Sequence, residues 1–290
     1  NDSTFIQKSG CVSCHNNTLT AVTVSTARKK GFSVDEQIAA QQSKKIGTYI
    51  ESWRERLLQG MGIPGDTDTV SYILLGMAAE NYTPDPATDA MARFVKNQQL
   101  PDGRWRILAH RPPLESNDFE VTAVSLRSLQ VFAPKAQRAE YEKSIRRATD
   151  WLMRGQPSST EERAFQLLGL RWAGVAGNNG TIRKGVRELM AQQRPDGGWA
   201  QIPTLSSDAY ATGQALVALR AAGVPASDPA YGRGVQFLLT AQYEDGSWYV
   251  KTRALRIQPN FDSGFPYGRD QWISAAATNW AATALALTGQ

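Results

Sequence analysis

The chain has 290 residues, 41% of them apolar, and a net charge of +5, a length that a single repeated array with one shared core can reach. No apolar run approaches the roughly 20 residues that a spanning helix needs, so no transmembrane segment is expected. Lys and Arg are scattered without a block of like charge, which argues against nucleic acid as a partner and leaves a modest basic surface suited to an acidic protein.

The chain starts at Asn1 with no charged-then-apolar leader, so the expectation is a mature chain whose export signal has gone. Residues 1–15 are set apart by Cys11, Val12, Ser13, Cys14 and His15, which contain both cysteines and one of the two histidines. This C-x-x-C-H string resembles the haem-attachment signature of c-type cytochromes. The resemblance implies one covalent haem on Cys11 and Cys14 with His15 as proximal iron ligand. A disulfide, a thiol redox pair and coincidence stay open beside it. Structural zinc is disfavoured, because four Cys or His ligands would use every such residue in the chain.

From residue 16 onward the elements repeat. A polar cap followed by a small-residue apolar stretch occurs six times, in HNNTLTAVTVSTARKKG, GDTDTVSYILLGMAAE, SNDFEVTAVSLRSLQ, STEERAFQLLGLRWAG, SSDAYATGQALVALRAAG and AAATNWAATALALTG. With caps at Asn16, Asp66, Asp118, Thr160, Asp208 and Asn279, the spacing is roughly 40 to 50 residues, the period of stacked helical pairs, except for a longer last interval. The excess lies in residues 251–272, which lack a helical period and read as a functional loop.

Between these stretches stands a second repeat, Q-x-x-D-G-x-W, at Gln99 to Trp105, Gln193 to Trp199 and Gln242 to Trp248. Each copy ends a helical pattern with an Asp-Gly turn and returns a Trp to the core. The motif resembles the QW repeat of squalene-hopene cyclases and prenyltransferase-type proteins. The resemblance implies an all-α fold, an α/α toroid of about six inner and five to six outer helices, over residues 16–290 as a single domain.

In such a ring every loop preceding an inner helix opens at one mouth. That places His15, the loop holding His110 and Arg111, and Met61 around the same opening. His110 is the leading candidate for the second axial ligand, with Met61 or an open iron as alternatives, and Arg111 a candidate partner for a haem propionate. Ring closure should bring the loop 251–272, with Arg253, Arg256, Phe261, Phe265, Tyr267, Arg269 and Trp272, beside Cys11 to His15.

The enzyme chemistry of the family is matched less well. The acid motif of the class II cyclases, Asp-x-Asp-Asp with a protonating middle Asp, has its nearest counterpart in Asp66, Thr67, Asp68 and Thr69, which lacks the final Asp. Asp66 is assigned to capping there. The zinc site of the prenyltransferases needs a cysteine that this chain lacks beyond Cys14, and no Ser-His-Asp set or phosphate-binding glycine loop is assembled. The sequence therefore leads to an electron-transfer or redox-sensing monohaem c-type cytochrome on a toroid. The expectation is a protein that is not an enzyme, periplasmic or extracellular, with a redox partner protein. The alternatives are a haem-dependent enzyme or apolar-ligand binder using the ring cavity, and a structural or filament subunit stapled by haem.

Overall fold

The computed structural model describes residues 2–255 and 261–289. Twelve α-helices follow one another among the described residues: α1 Asp2–Ser9, α2 Leu19–Lys29, α3 Glu36–Leu58, α4 Asp66–Ala79, α5 Pro86–Asn97, α6 Asp118–Phe132, α7 Arg138–Arg154, α8 Thr160–Trp172, α9 Gly180–Ala191, α10 Ala209–Ala221, α11 Pro229–Ala241 and α12 Gln271–Ala286. No strand occurs among them, only an isolated bridge between Trp199 and Asp208. No described helix is long and apolar enough to cross a membrane.

The even-numbered helices form a closed inner ring, α2 on α4, α4 on α6, α6 on α8, α8 on α10, α10 on α12 and α12 back on α2. The odd-numbered helices pack outside it. Composition explains the division. Inner helix α4 buries every residue from Thr67 to Met77, so its apolar and small residues run around the whole helix. Outer helix α7 buries Tyr141, Ser144, Ala148 and Leu152, the single stripe of a helix covering a core from outside.

Local signals set the helix starts. Asp85 and Ser159 make capping boxes at α5 and α8, and Asp208 caps α10 through the Ala211 amide, each satisfying amides that the first turn leaves unpaired. Of the six expected caps Asp208 alone is an N-cap: Asp66, Asp118 and Thr160 are the first residues of their helices, behind Gly65, Asn117 and Ser159, and two lie elsewhere. Asn16 sits in a π-helical turn, Cys14–Thr18, ahead of α2, and Asn279 lies within α12, where its side chain binds the His15 carbonyl at 3.3 Å. Asn279 therefore closes the ring between its last and first helices instead of starting one.

The three Q-x-x-D-G-x-W copies perform one task. The indole Nε1 atoms of Trp105, Trp199 and Trp248 donate to the carbonyls of Val95, Leu189 and Leu238 at 2.6, 2.7 and 2.8 Å. Their backbone amides donate to the hydroxyls of Thr122, Thr212 and Thr278 on the next inner helix. Each Trp thus pins the end of an outer helix to the inner helix that follows. The turn needs glycine: a Cβ on Gly197, at φ +87°, would lie 2.6 Å from the Arg233 carbonyl oxygen.

Candidate functional site

The inner helices carry acids at their starts, and the ring brings them together. Asp68 on α4, Glu120 on α6 and Glu161 on α8 each stand in a first turn, and Glu115 joins them from the loop before α6. All four are buried. Glu115 occupies the left-handed region at φ +55°, a conformation costing about 1 kcal/mol or more for a non-glycine residue. Bonds on both sides hold it there. Its amide donates to Glu120 Oε1 at 3.1 Å, and its carbonyl accepts from the Arg111 amide at 3.0 Å.

Three of these carboxyls are well served with donors. Glu115 accepts from the Cys14 thiol at 2.6 Å and from the Arg111 guanidinium. Glu120 accepts from the Tyr72 hydroxyl at 2.6 Å and from the amides of Glu115 and Ser116. Glu161 accepts from Tyr210 at 2.5 Å, and from Gln214, Ser116 and Asn117. Burial raises Glu161 to about 7 against this opposition, and raises Glu120 well above the carboxylate range, helped by Glu161 and Asp68.

Asp68 differs. It is 3% exposed, and neither carboxyl oxygen has a hydrogen-bond partner among the described residues. Burial, then the neighbouring charges of Glu115 and Glu161, push its proton affinity well up, with Arg111 opposing. A buried carboxyl in this setting keeps its proton, because ionisation without donors carries the largest desolvation cost. Asp68 is the residue that sequence reasoning passed over. The available signal was its place as the middle acid of Asp66 to Thr69. Asp66, the residue given the capping role, is the first of α4, and its carboxylate takes the Thr67 amide at 2.6 Å.

Beside the cluster a pocket of about 280 Å³, partly open to solvent, is lined by Glu161, Tyr210, Gln214, Gln201, Arg253 and His110 among others. Arg253 Nε donates to Gln201 Oε1 at 2.7 Å. One turn into the ring from Glu161 stands Phe165, whose ring meets Trp280 of α12 edge to face at 6.0 Å.

The residues of the C-x-x-C-H string are divided between two surroundings. Cys14 points its thiol at Glu115, and burial, with Glu115 next, raises it. Cys11 is half-buried. His15 is 8% exposed, its ring edge-on to Phe5 of α1 at 5.7 Å and to Trp272 at 5.8 Å. Burial, followed by Arg111, lowers it to about 3, so the imidazole is neutral. The neutral ring suits an iron ligand, while Phe5 and Trp272 fill the space beside it and the Cys14 thiol is engaged by Glu115, so all three side chains would have to move for a covalently held haem to lie there.

Arg111 lies near both Cys14 and His15. His110 is exposed on the pocket wall, and Met61 is exposed. Of the loop residues, Trp272 reaches His15 and Phe261 stacks edge-on against Phe5 at 5.5 Å. Phe265 and Tyr267 instead join Tyr243 and Tyr249 in an aromatic group, and Arg269 reaches the Ala254 carbonyl. Arg256 lies outside the described residues.

The closed ring of alternating inner and outer helices defines an α/α toroid of the terpene-cyclase type. Residues 163–266 match the squalene-hopene cyclase C-terminal domain. Among solved structures the chain resembles ent-copalyl diphosphate synthase from Streptomyces platensis, with a TM-score of 0.61 and 19% identity over 95% of this chain and 51% of that one. It thus spans about half the length of that synthase. It also resembles the type II terpene cyclase MstE from Scytonema, in a variant holding the substrate geranylgeranyl dihydroxybenzoate, with a TM-score of 0.58, 16% identity, and coverage of 93% and 88%. No curated protein matches.

These findings correct the functional expectation. The electron-carrying c-type cytochrome, its two haem-based alternatives and the expectation of a protein without enzymatic activity give way to a terpene-cyclase-like toroid. The physical reason is one of extent. Five residues near one end suggested the electron carrier, whereas the ring, which takes in nearly the whole chain, has the fold of the cyclases.

Proposed function

We propose that the chain is an acid-initiated enzyme of the type II terpene cyclase kind, with Asp68 as the general acid and a polyprenyl alkene as substrate. The observation that carries this reading is the isolation of Asp68, a buried neutral carboxyl with no acceptor for its proton among the described residues. A buried polar group left unsatisfied in the resting protein calls for an explanation. A neutral acid held ready for a ligand supplies one.

In this mechanism the Asp68 O–H bond breaks as its proton forms a C–H bond at one alkene carbon, using that alkene's π electrons. A tertiary carbocation and an Asp68 carboxylate result. The next double bond attacks the cation intramolecularly to form a C–C bond, and the final cation loses a proton, so the product is an isomer of the substrate. Phe165 and Trp280 offer aromatic rings one turn deeper, suited to a passing cation. Glu161, raised to about 7 by burial, lines the solvent-open pocket and lies within electrostatic reach of Asp68, which suits it to return the proton.

The test is incubation of the purified chain with squalene, geranylgeraniol and geranylgeranyl diphosphate in D2O. The expected product is an isomer carrying solvent deuterium, and Asp68→Asn should lower its rate by about 10²–10⁴-fold. An absence of isomer from all three, or an Asp68→Asn variant as fast as the parent, refutes the assignment. Covalent haem on Cys11 and Cys14, together with a location outside the cytoplasm, is a separate proposal that the five-residue motif supports. Intact mass after co-expression with a c-type maturation system decides it.

A further inference from the structure

The pocket at the ring mouth extends the cyclase reading, on which this inference rests, to the class of substrate. We propose that the pocket holds the polar head of the substrate, and that the head is uncharged and hydroxyl-bearing, not a diphosphate.

Gln214 provides the first argument. Its side chain is fully buried, its Nε2 donates to Glu161 Oε1 at 3.1 Å, and its Oε1 has no partner among the described residues. With Nε2 donating to the Glu161 carboxylate, Oε1 is the end of the amide left over. The remaining group is an acceptor, and its complement is an O–H or N–H on the ligand.

Charge provides the second. Glu161 and Glu162 both line the pocket, against the single guanidinium of Arg253. A diphosphate would stand next to two acids with one arginine to offset it. The start of α8, normally a favourable place for an anion, is already occupied from within the chain. Glu162 accepts the Ser158 and Ser159 amides, and the Thr160 amide donates to the Gln201 carbonyl at 3.3 Å.

Shape provides the third. Pro112, Pro113 and Ile202 form apolar walls on the same pocket, so a hydroxyl with hydrocarbon directly behind it fits better than a fully polar molecule. An alcohol O–H can donate to Gln214 while Arg253 offers a donor to its oxygen.

Isothermal titration calorimetry of the purified full chain, without divalent cations, tests this with geraniol and geranyl diphosphate as probes. Geraniol should bind at least about tenfold more tightly than geranyl diphosphate. Gln214→Leu should weaken geraniol about tenfold, and Ile202→Trp, which fills the pocket from a half-buried wall position, should abolish its binding. Equal or tighter binding of the diphosphate overturns the proposal, as does geraniol affinity that neither substitution changes. The acid assignment is scored separately. Asp68→Asn should bind geraniol as the parent does, and tight geraniol binding with no isomerisation of any substrate would sink the acid while supporting the head-group site.

Discussion

Glu161 shows how a single side chain ties the site to the stability of the ring. Below about pH 4.5 its carboxyl is protonated in both folded and unfolded chains, and burial carries no charge penalty. Between about 4.5 and 7 the unfolded chain releases the proton while the folded chain keeps it, since burial holds the folded group at about 7. Stability should therefore fall as pH rises through this window, by roughly 3 kcal/mol from this group, whose contribution levels off above it. Asp208, raised to about 6 by burial, adds a fall of the same sign at lower pH. Urea unfolding at a series of pH values measures the slope, and Glu161→Gln should reduce it between pH 5 and 7, leaving the fall contributed by Glu120 and Asp68, which burial also raises. A slope that the substitution leaves intact would show that Glu161 is not the titrating group. Such behaviour was not legible from sequence, where Glu161 reads as a helix-start charge. Its donors come from Ser116, Asn117, Tyr210 and Gln214, all distant along the chain.

The QW elements are repeated in sequence but are not equal in structure. Gln193 Nε2 reaches both the Gly197 and Ala230 carbonyls, at 2.8 and 2.7 Å, whereas the exposed Gln242 reaches the Gly246 carbonyl at 3.0 Å. Gln193→Ala should consequently cost about 1 to 2 kcal/mol and Gln242→Ala less, because a half-buried pair of bonds leaves more unsatisfied than a solvated one. Denaturant midpoints of the two variants make the comparison, and equal losses would count against the pinning role of the Gln side chain. The motif was readable because its glycine, turn and tryptophan act within one helix-to-helix connection. The start of α12 was misplaced for the opposite reason. Asn279 looks like a cap in isolation, and only contact with the π-helical turn ahead of α2 reveals its bond to the His15 carbonyl.

At the scale of the molecule, ring closure depends on small residues where inner helices meet. A Cβ on Gly213 of α10 would lie 2.7 and 2.8 Å from the backbone of Trp280 and Ala281 on α12, while a Cβ on Gly232 of the outer helix α11 meets nothing within 4 Å. Gly213→Ala should destabilise the chain by about 1 to 3 kcal/mol despite the better helix propensity of alanine, and Gly232→Ala should stabilise it by up to about 1 kcal/mol. Thermal or urea unfolding of both variants checks the contrast, and a Gly213→Ala chain as stable as the parent would argue against tight closure there. The sequence by itself determined the helical pairs, because helical period and turns are local signals repeated along the chain, and it implied the ring through the resemblance that the QW motif carries. It also carried the acid string of Asp66 to Thr69. Only the tertiary structure decided what those acids do, since burial and the field of Glu115 and Glu161 reach Asp68 from helices and loops remote in sequence. A carboxyl's proton is governed by what surrounds it in space, and no local pattern records that.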